Sequence, residues 1–164
     1  MSPWQPACRL CILASVAGYE SETVDERLIF RVSDLVDVTK RPDLSAIYLK
    51  WFSEYDEETG VRDAVMAALA WVRENKVEHW VVDVSTSPHS LSDADYQWVS
   101  GDEFRSAILN SPLCKFVLIP PLPGSGQDDG WVAEWEVNTL SSFGDRVSAK
   151  VCKSGEEARR FLTG

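Results

Sequence analysis

The chain has 164 residues, a formal net charge of −10 and a hydrophobic fraction of 45%. This length suits one domain, and the 7 tryptophans supply core-filling side chains that a disordered chain lacks. The acidic excess repels phosphate backbones and anionic lipid headgroups, so it argues against nucleic-acid binding.

Residues 1–27 show no clear periodicity, and we interpret them as a flexible or artefactual leader before a folded domain of residues 28–164. Cys8 and Cys11 have the spacing of redox dithiols and zinc knuckles, but no second pair completes a zinc set. Residues 10–16 are a candidate signal-peptide core with only one basic residue before it. No stretch reaches the roughly 18–20 apolar residues that span a bilayer. We therefore expect a cytoplasmic protein that spans no membrane and holds no metal or cofactor.

Alternating apolar residues predict a hairpin at the start of the domain. Residues 35–38 precede a proline-containing turn at residues 39–43, and a second alternating run covers residues 47–52. Residues 28–32 also alternate, which indicates an additional edge strand or a lead-in to the hairpin.

Apolar residues at three- and four-residue steps predict a helix over residues 56–75. Asp56 or Thr59 can cap its start, and Asn75 can end it in the left-handed conformation. The acidic run at residues 54–58 then suits the positive end of the helix dipole.

The rest of the chain alternates strands with helices. Residues 80–84 form an apolar run typical of a parallel strand covered on both faces. Ser92 is the predicted N-cap of a helix that continues to about residue 110, although Gly101 weakens its middle. Further strands are predicted at residues 115–119 and 147–151, and further helices at residues 131–140 and 154–162. The pattern predicts an α/β fold with a mixed, mainly parallel sheet, in which an N-terminal hairpin is followed by four β-α units.

Four short motifs occur along these elements. They are Tyr-Leu-x-Trp at residues 48–51, Trp-x-x-Asp at 80–83, Ser-x-x-Asp-x-x-Trp at 92–98 and Glu-Glu-Ala-x-x-x-Leu at 156–162. In this order the motifs resemble the SpoIIAA-like, or STAS/SEC14-type, family of small bacterial α/β proteins. The resemblance implies a SpoIIAA-like fold, but most members of that family have no assigned activity. Its better-known STAS relatives are anti-anti-sigma factors that bind a partner kinase.

Those relatives are switched by phosphorylation of a serine where a strand meets a helix. The serine lies in an Asp-Ser-Ser-Gly type segment, whereas residues 85–92 here read Ser-Thr-Ser-Pro-His-Ser-Leu-Ser. Asp93 and Asp95 would repel a phosphate on Ser92. We therefore interpret Ser92 as an N-cap and not as a phosphoserine.

His79 and His89 are the two histidines. His89 lies in the loop after a strand, where open α/β sheets bind ligands, and Ser85 and Ser87 lie near it in sequence. No G-x-S-x-G elbow is present, so a hydrolase that uses His89 is our third hypothesis. Asp83, at the end of the same strand, is interpreted as capping the adjacent turn.

We expect a non-catalytic domain that acts by contact with a protein partner or with a second copy of itself, as a homodimer. The alternative is a protein that binds a small apolar, lipid-like ligand in a cleft near residues 85–89 and the loop at residues 120–131. The candidate residues for an interaction or ligand cleft are Asp83, Ser85, Ser87, His89, Ser92, Trp98, Trp131 and Trp135. An apolar cavity would favour the ligand, and a closed core with an exposed aromatic patch would favour protein contact.

Overall fold

The structure, a computed structural model, describes residues 26–164. The strands in this range are β1 (Arg27–Val32), β2 (Val36–Arg41), β3 (Ala46–Trp51), β4 (His79–Asp83), β5 (Lys115–Ile119) and β6 (Ser148–Val151). The helices are α1 (Gly60–Asn75), α2 (Asp93–Val99), α3 (Asp102–Leu109), α4 (Val132–Phe143) and α5 (Gly155–Thr163), and a 3-10 turn (Pro42–Leu44) joins β2 to β3. The predicted α/β class is confirmed. Residues 1–25 of the predicted leader lie outside the described residues. Cys8 and Cys11 belong to this part of the chain.

All the strands belong to one mixed sheet in the order β1-β2-β3-β4-β5-β6. β2 is antiparallel to both of its neighbours, β1 and β3, whereas β3, β4, β5 and β6 run parallel. Residues 28–32 form most of β1, whose register with β2 shifts between Leu28 and Phe30. The hairpin turn is shorter than predicted, because residues 39–41 continue β2 opposite residues 46–48.

Side chains alternate between the two faces of the sheet, so each strand contributes to two cores. Helices α1 to α4 cover one face, which we call the α1 face, and its core includes Leu49, Trp80 and Phe116. Helix α5 covers the other face, the α5 face, where Val81 and Val117 lie in a smaller core.

The helix predicted from Ser92 to about residue 110 is two helices, α2 and α3. Gly101 lies at the break with φ −97° and ψ 178°, and its N–H donates to the carbonyl oxygen of Trp98 at 3.0 Å. Glycine stabilises a helix less than any other residue except proline, so the chain leaves the helical conformation there. The prediction of one helix was wrong because it underestimated this cost.

Both ends of α1 differ in detail from the prediction. The left-handed residue at its C-terminal end is Lys76, with φ +55°, and not Asn75. At its start Asp56 Oδ2 accepts the N–H of Gly60 at 2.7 Å, whereas the side chain of Thr59 makes no capping bond. The predicted helical stripe is confirmed, since Val61, Ala64, Val65, Ala68, Leu69 and Val72 are all buried.

The N-cap predicted at Ser92 is confirmed. Ser92 Oγ accepts the N–H of Asp95 at 3.2 Å and donates to Asp95 Oδ2 at 3.1 Å. We expect Ser92→Ala to lower the free energy of unfolding by about 1 kcal/mol, because both bonds are lost. Urea denaturation measures the change. Ser106→Ala, on the exposed surface of α3, is the matched control and should change it by less than about 0.5 kcal/mol. Equal effects of the two substitutions would contradict a capping role.

Cys152 and His79 are buried parts of the fold. Burial raises the pKa of the Cys152 thiol to about 11, so this buried thiol stays protonated. Cys114, just before β5, is exposed. His79 is buried, and its Nδ1 lies 2.6 Å from the carbonyl oxygen of Leu44.

Candidate functional site

A cavity of about 480 Å³ lies between the α1 face of the sheet and the helices that cover it. Its walls are mainly aliphatic and aromatic, and we call it the apolar cavity. The sheet contributes Leu49, Trp51, Trp80, Val82, Phe116 and Leu118, and the helices contribute Val61, Val65, Phe104, Trp135, Thr139 and Phe143. Trp131 and Leu91 line it from the adjoining loops. Sites for small molecules measure about 300–1,000 Å³, so this volume suits a ligand of that class.

One side of the apolar cavity is an aromatic wall. Trp80 stacks on Phe116 with 6.1 Å between ring centroids, and Phe116 lies 5.5 Å from the ring of Trp135. Such contacts contribute about 0.5–1.5 kcal/mol each beyond the area they bury. The wall therefore connects β4 and β5 to α4.

Glu54 is a buried carboxyl group in the lining of the apolar cavity. It follows β3, and its N–H donates to Ser87 Oγ at 3.1 Å. Burial raises the pKa of Glu54 to about 7, although the hydrogen bond from Gln127 acts to lower it. This carboxyl group therefore changes its charge close to neutral pH.

Gln127 fastens the loop after β5 to the residues that follow β3 and β4. Its Nε2 donates to Glu54 Oε2 at 3.0 Å and to the carbonyl oxygens of Ser87 and His89, each at 3.1 Å. Its Oε1 accepts the indole N–H of Trp131 at 3.1 Å. The amide thus uses both of its chemical functions, and it holds one oxygen of Glu54 in a fixed position.

A second, more polar pocket of about 380 Å³ adjoins the apolar cavity and shares Ser90, Leu91 and Asp93 with it. The rest of its lining is Tyr55, Pro88, His89, Ser92, Gly126, Gln127 and Asp128. His89 is exposed, and its ring centroid lies 6.4 Å from that of Tyr55. Within residues 26–164 its imidazole makes no hydrogen bond to a serine.

Asp83 lies on the α5 face, on the other side of the sheet from the apolar cavity. Its carboxylate accepts hydrogen bonds from Tyr48 at 2.5 Å, from Lys50 at 3.1 Å, and from the hydroxyl and N–H of Ser85 at 2.6 and 2.9 Å. Burial acts to raise the pKa of Asp83, but the bonds from Ser85 and Tyr48 and the charge of Lys50 outweigh it, and the pKa lies below its usual value. Asp83 is therefore ionised and caps the turn after β4, as predicted.

The residues predicted for one cleft lie in different parts of the molecule. Trp131 and Trp135 line the apolar cavity, and His89 and Ser92 line the polar pocket. Ser87 is fully buried and bonds the backbone of Glu54 and His89. Asp83 and Ser85 lie on the α5 face, and Trp98 packs in the core with its ring centroid 5.4 Å from that of Phe104. The structure therefore brings together only part of the predicted set.

Three residues of the site, Glu54, Gln127 and Trp80, were not predicted as functional. The acidic run that contains Glu54 was attributed to the helix dipole, but α1 begins only at Gly60. The position of Glu54 just after a strand is the signal that could have revealed it, because ligands bind near the carboxyl ends of parallel strands. Gln127 lies in the loop at residues 120–131, which was predicted to border a ligand cleft, but Gln127 itself was not singled out.

Within residues 26–164 no group of three or more His, Cys, Asp or Glu side chains is arranged to hold a metal ion. No helix in the same range has the length and apolar character needed to cross a membrane. Comparisons with protein-family models, with curated proteins and with solved structures found no match to this chain.

Proposed function

We propose that this protein binds a small apolar molecule in the apolar cavity. The observation that carries the proposal is the cavity itself, about 480 Å³ in volume and lined mainly by aliphatic and aromatic side chains. Concave spaces of this volume with largely apolar walls are the usual sites at which proteins bind small molecules.

The polar residues around the apolar cavity support the same proposal. Glu54 places a buried carboxyl group among the mainly apolar lining residues, and Gln127 connects that group to the loop after β5. Binding sites for small molecules combine apolar walls with a few placed polar groups that fix the orientation of the ligand.

The proposal predicts that filling the cavity abolishes binding. N-phenyl-1-naphthylamine, an uncharged dye whose fluorescence rises in apolar surroundings, is titrated into the protein. Val65 lies on the cavity wall, and we expect Val65→Phe to weaken dye binding at least tenfold because the added ring occupies the space.

Val137→Phe is the matched control, since Val137 is 65% exposed and does not line the cavity. It should leave the affinity for the dye unchanged. Circular dichroism checks that both variants are folded. Failure of the folded wild-type protein to bind the dye, or equal binding by Val65→Phe, would contradict the proposal.

Action through a protein partner or as a homodimer stays a prediction, and so do membership of the SpoIIAA-like family and a cytoplasmic location. Large apolar side chains exposed on the described residues include Phe52, Tyr55 and Tyr96. Recovery of a stoichiometric partner by co-purification from the native cell would favour protein contact. The third hypothesis, a hydrolase that uses His89, has no serine bonded to that imidazole within residues 26–164 to support it.

A further inference from the structure

Glu54 places one oxygen of a buried carboxyl group where a ligand can contact it. The residue is 7% exposed, and it lines the apolar cavity. Gln127 donates to its Oε2, whereas its Oε1 accepts no hydrogen bond from residues 26–164. The polar side-chain atoms in this range that have neither a partner nor accessible surface belong to Arg62, Trp80, Asp95 and Trp98. Because Glu54 Oε1 is not among them, it keeps accessible surface, and the cavity that Glu54 lines is the space that this surface faces.

The carboxyl group of Glu54 also lacks a counter-charge. Among the described residues no lysine, arginine or histidine forms an ion pair with it. A buried carboxylate is normally paired with a cation, and without one it tends to take up a proton. Burial accordingly raises the pKa of Glu54 to about 7. A cation bound in the cavity would supply the missing charge.

The other charges around the apolar cavity favour a cation over an anion. Besides Glu54, the formally charged residues of its described lining are Asp93 and Arg105. Arg105 Nη2 already donates to Asp102 Oδ1 at 2.8 Å, and its side chain is about half exposed. The net charge of −10 attracts cations over a longer range as well. An anionic ligand would therefore meet two carboxylates and one guanidinium that is already paired.

The apolar lining extends away from Glu54 along the strands. Trp51, the last residue of β3, lies three positions before Glu54 and lines the cavity. Trp80 and Phe116 line it at the second positions of β4 and β5, and Trp80 pairs in register with Ile47 of β3. The strand from Ile47 to Trp51 is about 13 Å long. A ligand whose charged group reaches Glu54 can therefore lie against apolar side chains over about this length.

We infer that the ligand is an apolar amine, whose ammonium group donates to Oε1 of Glu54 while its hydrocarbon body lies along the aromatic wall. This inference rests on the proposed function, because it specifies the ligand class for the same cavity. Glu54 is a binding residue in this account. Hydrogen bonds between two charged groups are about twice as strong as those between neutral groups, so the amino group should contribute measurably to affinity.

Four bicyclic compounds of similar shape test the inference. They are 2-aminotetralin, which is an ammonium ion at pH 8, 2-tetralol, which carries a hydroxyl group, tetralin, which is the matching hydrocarbon, and tetralin-2-carboxylate, which is an anion. Isothermal titration at pH 8, above the pKa of Glu54, gives the affinity for each compound. The measured quantity is the ratio of the dissociation constant of tetralin to that of 2-aminotetralin. We expect Glu54→Gln to lower this ratio about 10-fold or more, which is the effect of one hydrogen bond between charged groups.

Glu58→Gln is the matched control, because it removes the same charge from an exposed residue that does not line the cavity. It should leave the ratio unchanged. Asp93→Asn removes the other carboxylate of the lining, which is exposed, and should lower the ratio less than Glu54→Gln does. Circular dichroism checks that each variant is folded, and the affinity for tetralin shows whether the cavity keeps its shape.

The outcomes separate the two proposals. If tetralin binds but Glu54→Gln leaves the ratio unchanged, the inference is overturned and the proposed function stands. The same conclusion follows if wild type binds 2-tetralol as tightly as 2-aminotetralin, if the carboxylate binds most tightly, or if Asp93→Asn has the larger effect. Absence of binding by all four compounds would overturn both.

Discussion

Replacement of Asp83 by alanine should lower the free energy of unfolding by about 3–5 kcal/mol, as removal of one partner of a buried ion pair does in other proteins. Asp83 is 7% exposed, and its carboxylate accepts bonds from Tyr48, Lys50 and Ser85. The substitution leaves the Tyr48 hydroxyl and the Ser85 N–H without this acceptor at buried or half-buried positions, which adds a desolvation cost. Urea denaturation at pH 7 measures the loss.

Asp37→Ala is the matched control, since Asp37 lies in the same sheet and pairs with the largely exposed Arg31. Exposed pairs contribute at most about 1 kcal/mol, so this variant should lose little stability. The pKa of Asp83 lies below its usual value, so its stabilisation is present above pH 4 or so and is lost as the pH falls through the folded pKa. The difference between wild type and Asp83→Ala should therefore shrink in acid. A loss no larger than that of Asp37→Ala would contradict the role assigned to Asp83.

Replacement of Glu54 by glutamine should raise the free energy of unfolding, and the gain should be larger at pH 8 than at pH 5. Burial raises the pKa of Glu54 from 4.5 to about 7 in the folded state. The stability linked to its neutral form is fully present below pH 4.5 and is lost as the pH rises through 7. The two pKa values differ by the equivalent of about 3 kcal/mol, and this sets the largest gain expected at pH 8. Glutamine keeps an oxygen that can accept the bond from Gln127.

The measurement is urea denaturation of wild type and Glu54→Gln at both pH values. Glu58→Gln is the matched control, because Glu58 belongs to the same acidic run and is exposed. It should change stability equally at pH 5 and pH 8. If the gain from Glu54→Gln is the same at the two pH values, then Glu54 does not titrate near neutral pH in the folded protein.

Local patterns in the sequence predicted the elements well, because each element is specified by its own residues. The apolar stripe of α1 and the apolar run at residues 80–84 appear in the structure as a helix packed on one face of the sheet and a strand covered on both faces. Ser92 and Asp95 likewise form a cap from residues three positions apart. The prediction of one helix through Gly101 was wrong because the apolar pattern does not show whether the helical turns on either side outweigh the cost of one glycine.

The site depends on contacts between distant residues, and these could not be predicted. Gln127 and Glu54 are separated by 73 positions, and Lys50 and Asp83 by 33 positions. Each pair forms only once the strand order and register are fixed. The two faces of the sheet also separate side chains that are close in sequence. Asp83 and Trp80 are three residues apart on one strand, yet their side chains lie on opposite faces. The predicted cleft combined Asp83 with Trp131 and Trp135, which line the cavity on the α1 face, so no single cleft could contain all three.

The register shift in β1 has a consequence for how the chain behaves at high concentration. Among the described strands β1 lies at one end of the sheet and pairs with β2 alone, and edge strands can recruit strands from other molecules through their backbone groups. The irregularity between Leu28 and Phe30 interrupts the regular spacing of those groups, and the charged Arg27 and Arg31 flank it. Bulges and charges on an edge strand oppose edge-to-edge aggregation. β1 is therefore built to close the sheet and not to extend it into a fibril.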